Sequence, residues 1–91
     1  MVVTPEIRVD CADEVKFRVV AFVLEHFKKI RPVVDVDGAR ILFDQGWGLV
    51  RASNTGPVLV LRFEAASSEL LGRYRAEVEG VLAQAKLRCG A

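Results

Sequence analysis

An α+β fold is predicted for this chain: an antiparallel sheet of about four strands with two helices packed on one face. Three observations predict it. Apolar residues recur at helical spacing early and late in the chain, β-branched or alternating runs lie between them, and short turn signals link those runs as hairpins. Ninety-one residues hold one core, so residues 1–91 are read as a single domain. With 52% hydrophobic and 27% charged residues, the composition is globular rather than disordered.

Pro5 to Asp10 alternates polar and apolar residues and reads as a strand with one buried face. From Asp13 the period changes. Val15, Val19, Phe22, Val23, Phe27 and Ile30 form a helical stripe, with Asp10 as its expected N-cap, Asp13 and Glu14 near the positive end of the dipole, and Pro32 as the stop. Val33 to Val36 is β-branched. Asp37-Gly38 then signals a two-residue hairpin into a strand from Arg40 to Asp44, because both residues tolerate positive φ. Gln45-Gly46 marks the next turn, and Trp47 to Val50 the next strand. Val58 to Glu64 is apolar on both faces in its first half, as a central strand is. Ser67 or Ser68 caps a closing helix with a stripe of Leu70/Leu71, Tyr74, Val78, Val81/Leu82 and Ala85. Gly72 and Gly80 each weaken that helix by about 1 kcal/mol relative to Ala.

Thirteen basic and twelve acidic residues leave a formal charge of +1. This lacks the basic excess of a nucleic-acid binder. The longest apolar run, Val19 to Leu24, is far short of the ~18 residues that span a bilayer. Met1 to Thr4 has no export signal, so a cytoplasmic location is expected, with Cys11 and Cys89 as thiols. Neither nucleic acid nor a membrane is an expected partner.

One segment departs from strands and tight turns: Arg51-Ala52-Ser53-Asn54-Thr55-Gly56-Pro57. It brings a guanidinium, two hydroxyls, an amide and a glycine into one connection between two strands. A phosphate takes a bidentate fork from Arg, O–H donors from Ser and Thr, and backbone N–H groups from a curled loop. The same composition also serves a plain polar turn, and the chemistry of the residues alone leaves both readings open.

Other candidates are weaker. His26 is the single histidine, so no His/His or Cys/His metal cluster forms, and it reads as a packed or partly exposed helix residue. Asp35, Asp37 and Asp44 lack the EF-hand spacing and read as turn residues. Ser53 and Ser67 have no evident base to make either a nucleophile. Phe43, Trp47, Phe63 and Tyr74 read as core. No catalytic and no metal-binding residue is assigned.

The run Trp47-Gly48-Leu49-Val50-Arg51-Ala52-Ser53-Asn54-Thr55-Gly56-Pro57-Val58-Leu59 resembles the phosphate-binding loop of the α-D-phosphohexomutases, in particular the bacterial phosphomannomutase/phosphoglucomutase branch. Arg51, Ser53, Thr55 and Pro57 match the family's Arg-x-Ser-x-Thr-x-Pro pattern, and Gly56 departs from the bulkier or acidic residue this branch more often carries. The resemblance covers nearly the whole chain as the last of four domains, with a TATA-box-binding-protein-like fold. It implies that Arg51, Ser53, Asn54 and Thr55 hold the phosphate that is not being transferred. The partners it implies are a mannose or glucose 1- or 6-phosphate, the bisphosphate intermediate, and the remaining domains of the parent enzyme. The phosphoserine and the magnesium ion of the reaction would lie on those other domains, with no cofactor in this one, so the chain alone is expected to be inactive. The rival reading is a non-catalytic α+β interaction module whose polar loop has no function.

Overall fold

The computed structural model describes residues 1–90. In chain order its elements are β1 (Val2–Val3), β2 (Ile7–Asp10), α1 (Lys16–Lys28), β3 (Val33–Val34), β4 (Ala39–Phe43), β5 (Gly46–Ala52), β6 (Val58–Ala65) and α2 (Ser68–Cys89). All pairings are antiparallel, and the sheet runs β3-β4-β5-β6, with β1 and β2 both on the outer edge of β6. Both helices cover one face, α1 over β4 and β5 and α2 over β5 and β6. The expected α+β class and one-sided helix layer are therefore present.

The strand period of two decides what that face contains. Ala39, Ile41 and Phe43 on β4, Val50 on β5, and Leu59, Leu61, Phe63 and Ala65 on β6 are all buried. They meet Val19, Val23 and Phe27 from α1 and Val78, Leu82 and Ala85 from α2. A fully buried side chain of this size contributes roughly 1.5–3 kcal/mol. Gly48 is needed where β5 passes under Phe63, because a Cβ there would lie 2.8 Å from the ring. On the opposite face Val60 is also buried, at 2% exposure. That confirms β6 as the two-sided central strand its sequence suggested.

The sheet has six strand segments where about four were expected. The N-terminal edge is divided, because Val3 pairs with Glu64 while Ile7 pairs with Leu61. One extra residue is thus accommodated around Pro5, which cannot donate to the ladder. Thr4 takes over there: its N–H donates to the Phe63 carbonyl (3.0 Å) and its Oγ1 accepts from the Phe63 N–H (3.1 Å).

Several boundaries differ from the sequence expectation. Asp10 is not the cap of α1; it is the last residue of β2, opposite Val58. The helix instead starts after Val15, with no side-chain cap, and the Val15 and Lys16 N–H groups both donate to the Ala12 carbonyl. Ile30 lies past the helix and is 62% exposed, whereas Val20 joins the core. The β3–β4 connection is four residues, Asp35 to Gly38, rather than two, although Asp37 and Gly38 do carry positive φ (58° and 125°). The tight turn is Asp44-Gln45, one residue earlier than expected, closed by Phe43 opposite Gly46.

The closing helix follows its predicted stripe, with Ser67 as cap: its Oγ accepts from Leu70 N–H at 3.2 Å. Arg31, just past α1, donates Nε and Nη2 to the two Glu77 carboxylate oxygens of α2 (2.9 and 3.0 Å). This bond and the facing charge hold the Arg31 pKa above its ordinary value. Tyr74 stacks on Phe43 with ring centroids 4.1 Å apart. Trp47, expected in the core, is half-buried on the face away from the helices, with the Arg40 guanidinium 4.5 Å from its ring centre. Among the described residues no helix is long and apolar enough to cross a membrane.

Two stability changes follow. Replacing Thr4 by Val keeps its shape but strands the buried Phe63 N–H, and urea unfolding should show a loss of about 1–3 kcal/mol. A Cβ added at Gly72 or Gly80 would meet nothing within 4 Å, so Gly72→Ala and Gly80→Ala should each raise stability by up to about 1 kcal/mol in the same assay.

Candidate functional site

The segment Arg51 to Pro57 joins β5 to β6 at one end of the sheet. Its stem is the last ladder pair, Ala52 opposite Leu59, extended by the Ser53 N–H donating to the Val58 carbonyl (2.9 Å). The Val58 N–H in turn reaches back to the Gly56 carbonyl at 2.8 Å, which closes the exit of the loop. Ser53 is buried at 8% exposure, whereas Asn54 and Thr55 face solvent.

Two of the four predicted residues are joined directly. Ser53 Oγ and Thr55 Oγ1 lie 3.2 Å apart, and Ser53 Oγ also accepts the Thr55 N–H at 3.2 Å. This is the local side-chain-to-backbone bond that Ser makes readily in turns. The N–H groups of Asn54 and Gly56 have no hydrogen-bond partner among the described residues. Arg51 stands apart from this pair. It is the penultimate residue of β5, opposite Val60, and its Nη2 is 4.0 Å from Glu6 Oε1. Both side chains are well exposed, so this pair is worth about 0–1 kcal/mol and does not lock the guanidinium.

The β3–β4 loop buttresses Arg51. A Cβ on Gly38 would sit 2.6 Å from the Val50 carbonyl oxygen and 2.7 Å from Arg51 Cβ, and φ there is +125°. Beside this contact opens a cleft of about 410 Å³ lined by Phe17, Asp37, Gly38, Arg51, Ala52 and Asn54, among others. Phe17 lines it with a side chain that is 62% exposed.

Sequence reasoning missed Lys16, the first residue of α1. It is buried at 6% exposure, and its ammonium donates to the Ser53 carbonyl (2.6 Å) and the Gly56 carbonyl (3.0 Å). Asp13 Oδ1 is 2.8 Å from the same nitrogen. A lysine flanked by Val15 and Phe17 at a helix start was the available signal, but its position relative to the apolar stripe gave no hint of a partner so far along the chain. On the other side of the loop, the Cys11 N–H donates to the Pro57 carbonyl at 2.8 Å. Burial pushes the Cys11 thiol up, against the lowering charge of Lys86, so the thiol stays neutral near pH 7 and is a poor nucleophile. Both cysteines are free.

Fold and loop together define a two-layer α+β domain with a polar, side-chain-braced connection at one end of its sheet. The family model for the phosphoglucomutase/phosphomannomutase C-terminal domain matches residues 6–81, and the chain belongs to that family. It is 48% identical over 73 residues to a phosphomannomutase/phosphoglucomutase of Pseudomonas putida, which covers 79% of this chain and 16% of that protein. A Pseudomonas aeruginosa protein of the same name is 42% identical over 73 residues, with the same coverage. A solved phosphoglucomutase/phosphomannomutase family structure from Burkholderia thailandensis superposes with a TM-score of 0.77 at 36% identity, covering 93% of this chain and 18% of that one. The chain thus spans about a sixth of the length of the curated relatives it matches.

Gly38→Ala tests the buttress. The strained φ and the contact with the β5 backbone should cost about 1–3 kcal/mol on unfolding. Amide chemical shifts of Val50, Arg51 and Ala52 should move with it, while those of α2 should not.

Proposed function

We propose that this chain is the phosphate-gripping C-terminal domain, residues 1–91, of a cytoplasmic phosphomannomutase/phosphoglucomutase. In this reading Arg51, Ser53, Asn54 and Thr55 hold the phosphate of a mannose or glucose phosphate that is not being transferred. The observation that carries it is the loop itself: two hydroxyls brought within 3.2 Å, two N–H groups without partners among the described residues, and a guanidinium on the adjoining strand tied only by a weak, exposed pair. Family membership supports it, because the loop lies within the matched residues 6–81.

An intramolecular phosphoryl transfer that passes through a bisphosphorylated sugar presents either end of that sugar to the same loop. A site that grips phosphate and ignores the ring suits both orientations. Arg supplies a planar fork for two phosphate oxygens, and the hydroxyls and N–H groups donate to the rest. Holding the substrate still converts binding into orientation of the reacting end. Among the described residues no group of three or more His, Cys, Asp or Glu side chains could hold a metal ion. This reading assigns the magnesium ion and the phosphoserine to the remaining domains of the parent enzyme, and none of the chemistry in this domain runs through them.

With only this clamp, open to water, binding of phosphate or glucose 6-phosphate should be on the order of millimolar and should weaken as salt rises. Each charge-assisted bond adds about 1–3 kcal/mol. An NMR titration should move the Asn54 to Gly56 amides. Arg51→Ala should abolish the response without unfolding the protein, and Arg51→Lys should restore only part of it. Amides that stay still at tens of millimolar phosphate, or that respond equally in Arg51→Ala, would make the segment a plain turn.

A further inference from the structure

An ammonium group in a nearly closed position costs several kcal/mol unless each of its protons finds an acceptor. Lys16 has three acceptors for its three protons: the Asp13 carboxylate and the carbonyls of Ser53 and Gly56. The two carbonyls bracket Asn54 and Thr55. One cation rooted in α1 therefore holds both ends of the loop on which the proposed phosphate site rests.

The direction of those carbonyls has a consequence at the next atoms along the chain. In a planar trans peptide the C=O and the following N–H point opposite ways. The Ser53 carbonyl is engaged by Lys16, so the Asn54 N–H is turned away from the ammonium, and it has no partner among the described residues. The Gly56 carbonyl is held by both Lys16 and the Val58 N–H. A loop braced from inside in this way keeps the Asn54 N–H aimed outward before any ligand arrives. Preorganisation of that kind removes an ordering cost that a free loop would meet on binding.

We propose that Lys16 is the positioning residue of the phosphate loop, fixing the Ser53 and Gly56 carbonyls inward so that the Asn54 N–H is presented to the phosphate. Lys16 does not itself touch the ligand. The proposal rests on the phosphate-binding reading of the same loop and names the residue that sets its shape.

The test uses the 91-residue chain, inorganic phosphate as the probe, and Lys16→Met, which keeps the length of the side chain and removes its protons. Phe27→Leu, remote from the loop, serves as a variant destabilised through the core alone. Lys16→Met should bind phosphate about tenfold more weakly than wild type, with the Asn54 amide displaced before ligand is added. Phe27→Leu should bind as wild type does, which separates loop positioning from loss of stability. A second measurement needs no substitution. The ¹⁵N signal of the Lys16 ammonium in wild type should shift on adding phosphate, because its acceptors belong to peptide units at the site. If wild type responds and Lys16→Met titrates identically, this proposal is overturned and the site reading stands. Should Lys16→Met fail to fold, a Lys16 ammonium signal that stays still while the Asn54 amide moves overturns it equally. Wild-type amides that do not respond at all overturn the site reading and this proposal together.

Discussion

Every layer of this domain is referred to β6. It pairs with β5 along seven consecutive positions, from Gly46 opposite Ala65 to Ala52 opposite Leu59, and with β1 and β2 on its other edge. Paired on both edges and apolar on both faces through Leu59, Val60 and Leu61, it has no register freedom, since a one-residue slip would turn Arg62 and Glu64 into the core. The ends of its neighbours are set by that register. The N-terminal edge must absorb one extra residue at Pro5, and the β5–β6 connection must leave the ladder at Ala52 and return at Val58.

The candidate site follows from that exit. Arg51 is still a strand residue, held by its ladder partner and by the close approach of Gly38, so its backbone is rigid while its guanidinium stays exposed. Ser53 has already left the ladder and is buried as a residue, and its hydroxyl lies 3.2 Å from that of Thr55. A strand-borne cation beside a short, internally bonded loop combines a fixed anchor with outward donors. Rigid elements position such groups more accurately than a free loop does.

Lys16 joins the helix layer to the same exit, so the loop is supported by three parts of the chain at once: α1 through the ammonium, the connection after β2 through the Cys11 N–H, and β6 through Val58. The weakly tied Arg51–Glu6 pair is the contrast. It is exposed and long at 4.0 Å, which leaves the guanidinium available to a better acceptor.

The sequence by itself determined the α+β class, the two helical stripes, the central character of Val58 to Glu64 and the Ser67 cap, because each depends on periodicity or chemistry within a few residues. It also determined the loop as a candidate, since Arg51, Ser53, Asn54, Thr55 and Gly56 stand close together in the chain. Tertiary structure alone decided which of those groups meet. It paired Ser53 with Thr55, set Arg51 toward Glu6, moved Trp47 to the outer face and made Asp10 a strand end instead of a cap. Lys16 was illegible for the same reason: its two carbonyl partners are 37 and 40 residues away. Thr4 likewise takes its meaning from Phe63, 59 residues on. Local pattern carries period and propensity, whereas contacts across the sheet depend on register and on the path of the chain between layers, and no short window of residues contains either.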